Sequence, residues 1–361
     1  MSFYPRPVYG EPGTKSVELW SPYTPHIPYV LPQPDYPIAP VENFKLAAAH
    51  KTPVWMPNLV LDFQLLHMAD VLEGLVIFPW ESKEAVVYKD EFGCQWKYVV
   101  SAGGAMMDPD GTAVLDDITK WDKIVKFPEI KYNDSDFLEK SYDPAKVFVM
   151  DVFQGATERL VSLLGGYAEG MLAMAEEPEA CADFFGAFVE WEKEMIDKLF
   201  EKYPIDMINY HDDFGTERDT FFSEKMMEEL VLEPTRQIVQ HVKEKGALLE
   251  FHSCGNIGRF MKYFVDMGVD IAQIQMRAND IPAIKRQYGD KIGFCITDDR
   301  ISRLAHATPN RLEAAREIVD LYGRKGGAYV RTFISEPEVA WEVVNEIYCY
   351  SREYYDRERG E

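Results

Sequence analysis

Along most of the chain, short apolar runs alternate with longer stretches whose apolar residues recur at helical spacing. Runs at 54–57 (VWMP), 74–78 (GLVIF), 146–150 (KVFVM), 206–210 (DMINY), 247–251 (ALLEF), 270–274 (DIAQI), 292–296 (IGFCI) and 328–333 (AYVRTF) have the length and composition of buried strands. Between them, 178–203 places a Pro near its start and then keeps an apolar helical stripe. The stretch 226–246 ends in a basic turn followed by Gly246, a helix-stop signal. Buried strands alternating with helices in this way predict an α/β fold, a (β/α)8 TIM barrel.

Two segments depart from the alternation. Residues 1–42 are so rich in Pro and Tyr, as in YTPHIPYVLPQPDYPIAP, that a regular helix is ruled out. They predict an extended, Pro-rich N-terminal arm that packs on the body of the protein or on a second subunit, hence the expectation of a homodimer. Residues 85–107 (AVVYKDEFGCQWKYVVSAGGAMM) read as strand, turn and strand. They predict a β-hairpin inserted between the second and third barrel strands. No repeat or Ser/Gly linker divides the rest, so 43–361 is expected to be one barrel domain.

A length of 361 residues suits one large barrel, and 47% apolar residues suit a soluble core. The 20 Tyr, 21 Phe and 7 Trp are core material first, and they also suit a pocket for a planar ligand. A formal charge of −23 repels phosphate backbones and anionic lipid, which argues against nucleic-acid and membrane partners. The five cysteines, at 94, 181, 254, 295 and 349, are odd in number and scattered, unlike a disulfide framework. Without a signal-peptide pattern at MSFYPRPVYG, the expected setting is the reducing cytoplasm.

In such barrels the chemistry sits where strands end and the following loops begin. In an extended segment, residues two apart share a face, so Glu250, His252 and Cys254 in LLEFHSCGNIG offer O, N and S donors together. Imidazole and thiolate on one face suit Zn2+, and an open coordination position would make the site catalytic. Cys295, near the end of the seventh strand, is a candidate further ligand, with small apolar filler as the alternative role. His211, Asp212 and Asp213 end the fourth strand and are candidate acids or bases, with helix cap or core histidine as the alternative. Asp151 and Gln154 follow the third strand. Trp55, Asn58 and Asp62 around the first strand, with Gln273 and Gln275 around the sixth, are candidate substrate-binding residues. The sequence carries no Gly-rich phosphate motif, no G-x-S-x-G and no H-E-x-x-H.

Taken together, DDFGT (212–216), FHSCGNIGRFMKYFVDMGVD (251–270) and KRQYGDKIGFCITDDR (285–300) resemble the uroporphyrinogen decarboxylase superfamily. The resemblance extends through KTPVWMPN (51–58), FGCQWKYVVSAGGAMMDP (92–109) and VFQGATERLVSLLGGYAEGMLAMAEEPEA (152–180), and covers about residues 45–350. It implies a (β/α)8 barrel and one of two chemistries. The decarboxylases of that superfamily hold a tetrapyrrole's carboxylates with an arginine-rich stretch near the N-terminus. The matching VWMPNLVLDF (54–63) contains no arginine, which counts against haem-precursor decarboxylation. The corrinoid-dependent methyltransferases of the superfamily hold zinc with a His-x-Cys pair and a further Cys near the last strand. His252 and Cys254 match the pair, whereas YVRTFIS (329–335) offers Thr332 and no Cys, which leaves Cys295 or Glu250 to complete the site.

The resemblance therefore implies a methyltransferase of O-demethylase type. It would move a methyl group between a small substrate, such as a methoxylated aromatic, and a corrinoid protein, assisted by zinc or by an acid among His211, Asp212 and Asp213. Two other readings stay open: a decarboxylase acting on a smaller acid, and a non-catalytic corrinoid- or tetrapyrrole-binding protein.

Overall fold

A computed structural model describes residues 31–32, 34, 36–76, 79, 82–101, 104–334 and 336–360. Most of the arm expected over 1–42 lies outside them. Ten strands follow one another along the chain: β1 Phe63–His67, β2 Val86–Lys89, β3 Gln95–Val99, β4 Gly104–Met107, β5 Val147–Val152, β6 Met207–His211, β7 Leu248–Ser253, β8 Ile271–Ile274, β9 Gly293–Ile296 and β10 Ala328–Val330. Seven form one sheet in the order β1-β5-β6-β7-β8-β9-β10. The pairs β6–β7, β8–β9 and β9–β10 are parallel. Strand neighbours in sheet order are also neighbours in chain order once the insertion is set aside, and helices stand between them, which is the α/β TIM-barrel arrangement.

The run VWMPN at 54–58 supplies an eighth edge. Asn58 forms a parallel bridge with Val330 of β10, and the Val330 amide donates to the Pro57 carbonyl at 2.9 Å. The second strand is a correction to the sequence reading. It is FQLLH at 63–67, not GLVIF, of which 77 and 78 lie outside the described residues. Gln64 and His67 break the apolar run that marks a buried strand. The fold uses both polar groups, with Gln64 exchanging hydrogen bonds with the main chain of Asp143 at 2.8 and 2.9 Å.

Contacts gather the described residues into two compact units. One is drawn from Met1–Leu65, Tyr142–Val149 and Asp270–Glu361, the other from Leu66–Ser141 and Met150–Val269. In the first, Phe63 stacks on Tyr329 with ring centroids 4.9 Å apart, and Phe44 packs edge-on against both. In the second, the 25-residue helix Pro178–Lys202 buries Phe184, Phe188, Trp191, Met195 and Leu199, a spacing of three and four that keeps one face inward. Pro178 opens it, where the missing amide hydrogen costs nothing.

The insertion is a three-stranded antiparallel sheet, β2-β3-β4, one strand more than the hairpin expected. Its first turn plugs into the second unit through Phe92, which meets Trp191 at 5.3 Å between centroids. Buried Asp90 and Glu91 beside it pair with buried Arg159 at 2.5 and 2.8 Å. Among the described residues, no helix is long and apolar enough to cross a membrane.

Candidate active site

The second unit carries the site, at the C-terminal ends of β5, β6 and β7. In the β6–β7 ladder, Asn209 stands opposite Glu250 and His211 opposite His252. Side chains two apart share a face, so one face carries Asn209 and Glu250 in one layer and His211 and His252 in the next. Asn209 donates to Asp151 Oδ1 at 2.9 Å, adding β5 to the deeper layer. Beyond the strands the two loops stay zipped. The Asp212 amide donates to the His252 carbonyl (3.1 Å), the Phe214 amide to Ser253 Oγ (2.9 Å) and the Asn256 amide to the Thr216 carbonyl (2.6 Å). Gly255 lies in the left-handed region at φ +86°, with its Cα against the Gly215 main chain where a Cβ would collide.

This zipping brings Asp213 to the His-x-Cys pair. The Cys254 amide donates to Asp213 Oδ1 at 2.7 Å, and the same oxygen lies 3.8 Å from His252 Nε2. His252 Nε2 is 3.5 Å from Cys254 Sγ. Among the described residues, these three form a group whose ligand atoms all lie within 4.8 Å of one another. Each is half-buried. An oxygen, a nitrogen and a sulfur donor at that spacing are a set zinc accepts, three of the four donors of a tetrahedral site. Glu250 is not part of the group; it is fully buried one layer deeper. Cys295 belongs to the other unit, where Gln273 Nε2 donates to its sulfur at 3.4 Å.

Asp212 turns the other way. Its two oxygens accept the amide hydrogens of Thr157 (3.1 Å) and Glu158 (2.8 Å), capping the helix Ala156–Leu163. Burial pushes its carboxyl up to about 7 against those two hydrogen bonds. Gly155 makes the cap accessible, since a Cβ there would lie 2.5 Å from Tyr210 Oη and 2.7 Å from Asp212 Cβ. The cap sets Glu158 in the first turn of that helix. Burial first, then the negative charge of Asp213 and Asp212, holds the Glu158 carboxyl well above the usual carboxylate range. Tyr167, stacked on Phe221 at 4.2 Å, has its hydroxyl raised by burial and by the charge of Glu158, Asp213 and Cys254.

Glu158 and Tyr167 are functional candidates that sequence reading passes over. An acid in a first helical turn is ordinary, because the helix dipole favours it anywhere. His211 is buried, stacked on Phe153 at 3.9 Å and next to His252 at 4.5 Å between centroids.

The remaining candidates lie in the first unit and are largely bonded to one another. Trp55 Nε1 and the Asn58 amide both donate to Asp62 Oδ2, at 2.9 and 2.8 Å, and Asn58 Oδ1 caps the short helix Leu59–Asp62. All three are almost fully buried, which pushes the Asp62 carboxyl up to about 6 despite these donors. Gln273 is spent on Cys295, and the Gln275 carbonyl accepts from Asn279 Nδ2 at 2.8 Å.

A model of the family described as uroporphyrinogen decarboxylase (URO-D) matches residues 90–319. No curated protein matches the chain by sequence. Among solved structures, a methyltransferase from Methanosarcina mazei superposes with a TM-score of 0.50 at 12% identity, covering 78% of this chain and 81% of its own. At that identity the likeness speaks to the fold alone.

Proposed function

Because the chain belongs to the uroporphyrinogen decarboxylase family, we propose that it transfers a methyl group between a small methylated substrate and a corrinoid carried by a partner protein. A methoxylated aromatic is the substrate class of choice. The observation that carries this reading is the Asp213–His252–Cys254 donor set. The arginine-free stretch 54–63 supports it, since the polar side chains there bond to each other and offer no cation for a carboxylate-rich substrate. When bound, zinc would supply Lewis acidity toward the leaving oxygen at those three residues, and the reduced corrinoid would supply the nucleophile.

The chain's own residues do the rest. Breaking the methyl–oxygen bond leaves the electron pair on oxygen, which then takes a proton. Glu158, protonated because its charge would be buried beside Asp213 and Asp212, is the donor suited to give it. Asp212 acts through Glu158, fixing the first turn of its helix. His211 packs against the His252 ring and holds its orientation.

The test is elemental analysis of the purified protein beside Cys254→Ser and Asp213→Asn, together with methyl transfer to reduced cobalamin followed by absorbance. The expected result is about one zinc per wild-type chain, lost in both variants along with activity. Glu158→Gln should keep the metal and lose about 10²–10⁴-fold in rate. A metal-free wild type that releases carbon dioxide from aromatic acids, with no methyl acceptor present, would sink the reading in favour of a decarboxylase.

A further inference from the structure

A row of rings runs beside the donor set. His67 ends β1, Phe153 follows β5, His211 ends β6 and His252 lies in β7. Their centroids step 4.6 Å from His67 to Phe153, 3.9 Å on to His211 and 4.5 Å on to His252. At the far end, His67 is 1% exposed. Its Nδ1 accepts the amide hydrogen of Ala69 at 3.0 Å, which puts the ring proton on Nε2. Burial pushes the imidazole down to about 3, so the ring is neutral near pH 7. That Nε2–H is buried and has no hydrogen-bond partner among the described residues.

Native folds keep few such groups, because a buried donor has given up water and gained nothing. The neighbouring loop repeats the pattern. Gln154 sits at φ +64°, a left-handed conformation unusual for a residue with a side chain, and its Oε1 is buried without a partner among the described residues. Backbone strain at the residue after Phe153 and unmet polar atoms on Gln154 and on the His67 packed against that ring mark a ligand clamp. Phe153 is half-buried while His67 and His211 are buried, so it is the ring with room to yield.

We propose that His67 Nε2–H recognises the substrate, holding an uncharged oxygen acceptor of a flat aromatic molecule while Gln154 Oε1 takes a hydrogen from its N–H or O–H group. The proposal rests on the reading of the strand ends as an active site and names the class of molecule admitted there. A fixed N–H repels a cationic end. The acids of the same unit, Asp151, Asp212, Asp213 and Glu250, disfavour an anionic one. What remains is a carbonyl, ether or phenol oxygen.

The probe is benzamide, which is flat and neutral, carries both an acceptor and a donor, and has no methyl to give. In 15N-histidine-labelled full-length protein, the His67 Nε2–H signal should shift on adding benzamide and stay in place with benzylammonium. His67→Phe keeps a ring on Phe153, and His67→Asn keeps an acceptor for the Ala69 amide. Each should weaken benzamide binding by about tenfold, the worth of one lost hydrogen bond. The proposal is overturned if benzamide does not bind at millimolar concentration, if it binds without moving that signal, or if both variants bind within twofold of wild type. Should the variants fail to fold, the wild-type shift alone decides. Because benzamide cannot donate a methyl group, a negative result here leaves the methyl-transfer assay untouched, and the reverse also holds.

Discussion

Asp212 and Asp213 are adjacent, chemically identical and used for different ends. The first gives both oxygens to the amides of a helix N-terminus, and the second meets His252 and Cys254. The side chains of consecutive residues diverge here, so one strand end feeds two partners. A third acid, Asp62, serves neither purpose; it is the shared acceptor of Trp55 and Asn58. Its folded-state carboxyl titrates near 6 rather than 3.8, so the native state holds its proton more tightly than the unfolded chain. Stability is therefore lost as pH rises from about 4 to about 6 and is level above that, a cost of roughly 3 kcal/mol at most. Asp62→Asn removes the charge and keeps an oxygen for the two donors. Its urea-unfolding free energy relative to wild type is expected to improve across that window and then stay constant. A difference independent of pH would mean the carboxyl ionises in the folded protein as it does in water. Sequence alone marked all three aspartates, because polar residues after buried strands are visible as such. It did not mark their surroundings, because an aspartate that caps a helix and one that meets a His-x-Cys pair look alike until the third dimension supplies the partner.

At the scale of elements, the β6 and β7 ends act as one piece. Their register puts His211 beside His252, and the loops beyond are held together by main-chain bonds. Gly255 is the tightest point of that junction, with both a left-handed φ and the Gly215 main chain against it. Gly255→Ala is expected to destabilise the fold by about 1–3 kcal/mol in chemical denaturation and to lower zinc content by separating Asp213 from Cys254. Full zinc content in a folded Gly255→Ala protein would show that the donor set does not depend on the junction. The H-x-C-G spacing announced a tight turn here, but nothing in it announced Gly215 as the opposing surface, which lies forty residues earlier in the chain. The second strand is the converse case. FQLLH carries a Gln and a His inside a buried strand because Gln64 bonds the distant Asp143 main chain and His67 takes the Ala69 amide just beyond the strand, and a purely apolar criterion passes over it.

Over the whole molecule, charge acts where single contacts do not. A formal charge of −23 repels itself more strongly in the compact state than in the unfolded chain. Raising salt from about 0.01 M to about 0.15 M shortens the Debye length from about 30 Å to about 8 Å. The urea midpoint is expected to rise over that range; a fall would mean that the surface ion pairs, such as Arg300 with Asp298 and Glu317, outweigh the net repulsion. The alternating strand order agrees with what periodicity predicted, because a sheet's buried strands and a helix's one-sided stripe are written in neighbouring residues. The family match over residues 90–319 agrees with the resemblance carried by the motifs. By itself the sequence determined the class of fold, most of its strands, the long helix Pro178–Lys202 and the His252–Cys254 pair, all properties of short-range spacing. Only the tertiary structure decided that Asp213 joins that pair, that Glu158 stands charged-poor beside it and that His67 holds a fixed, unmet donor. Those outcomes depend on burial and on the meeting of segments tens of residues apart, and no local pattern encodes either.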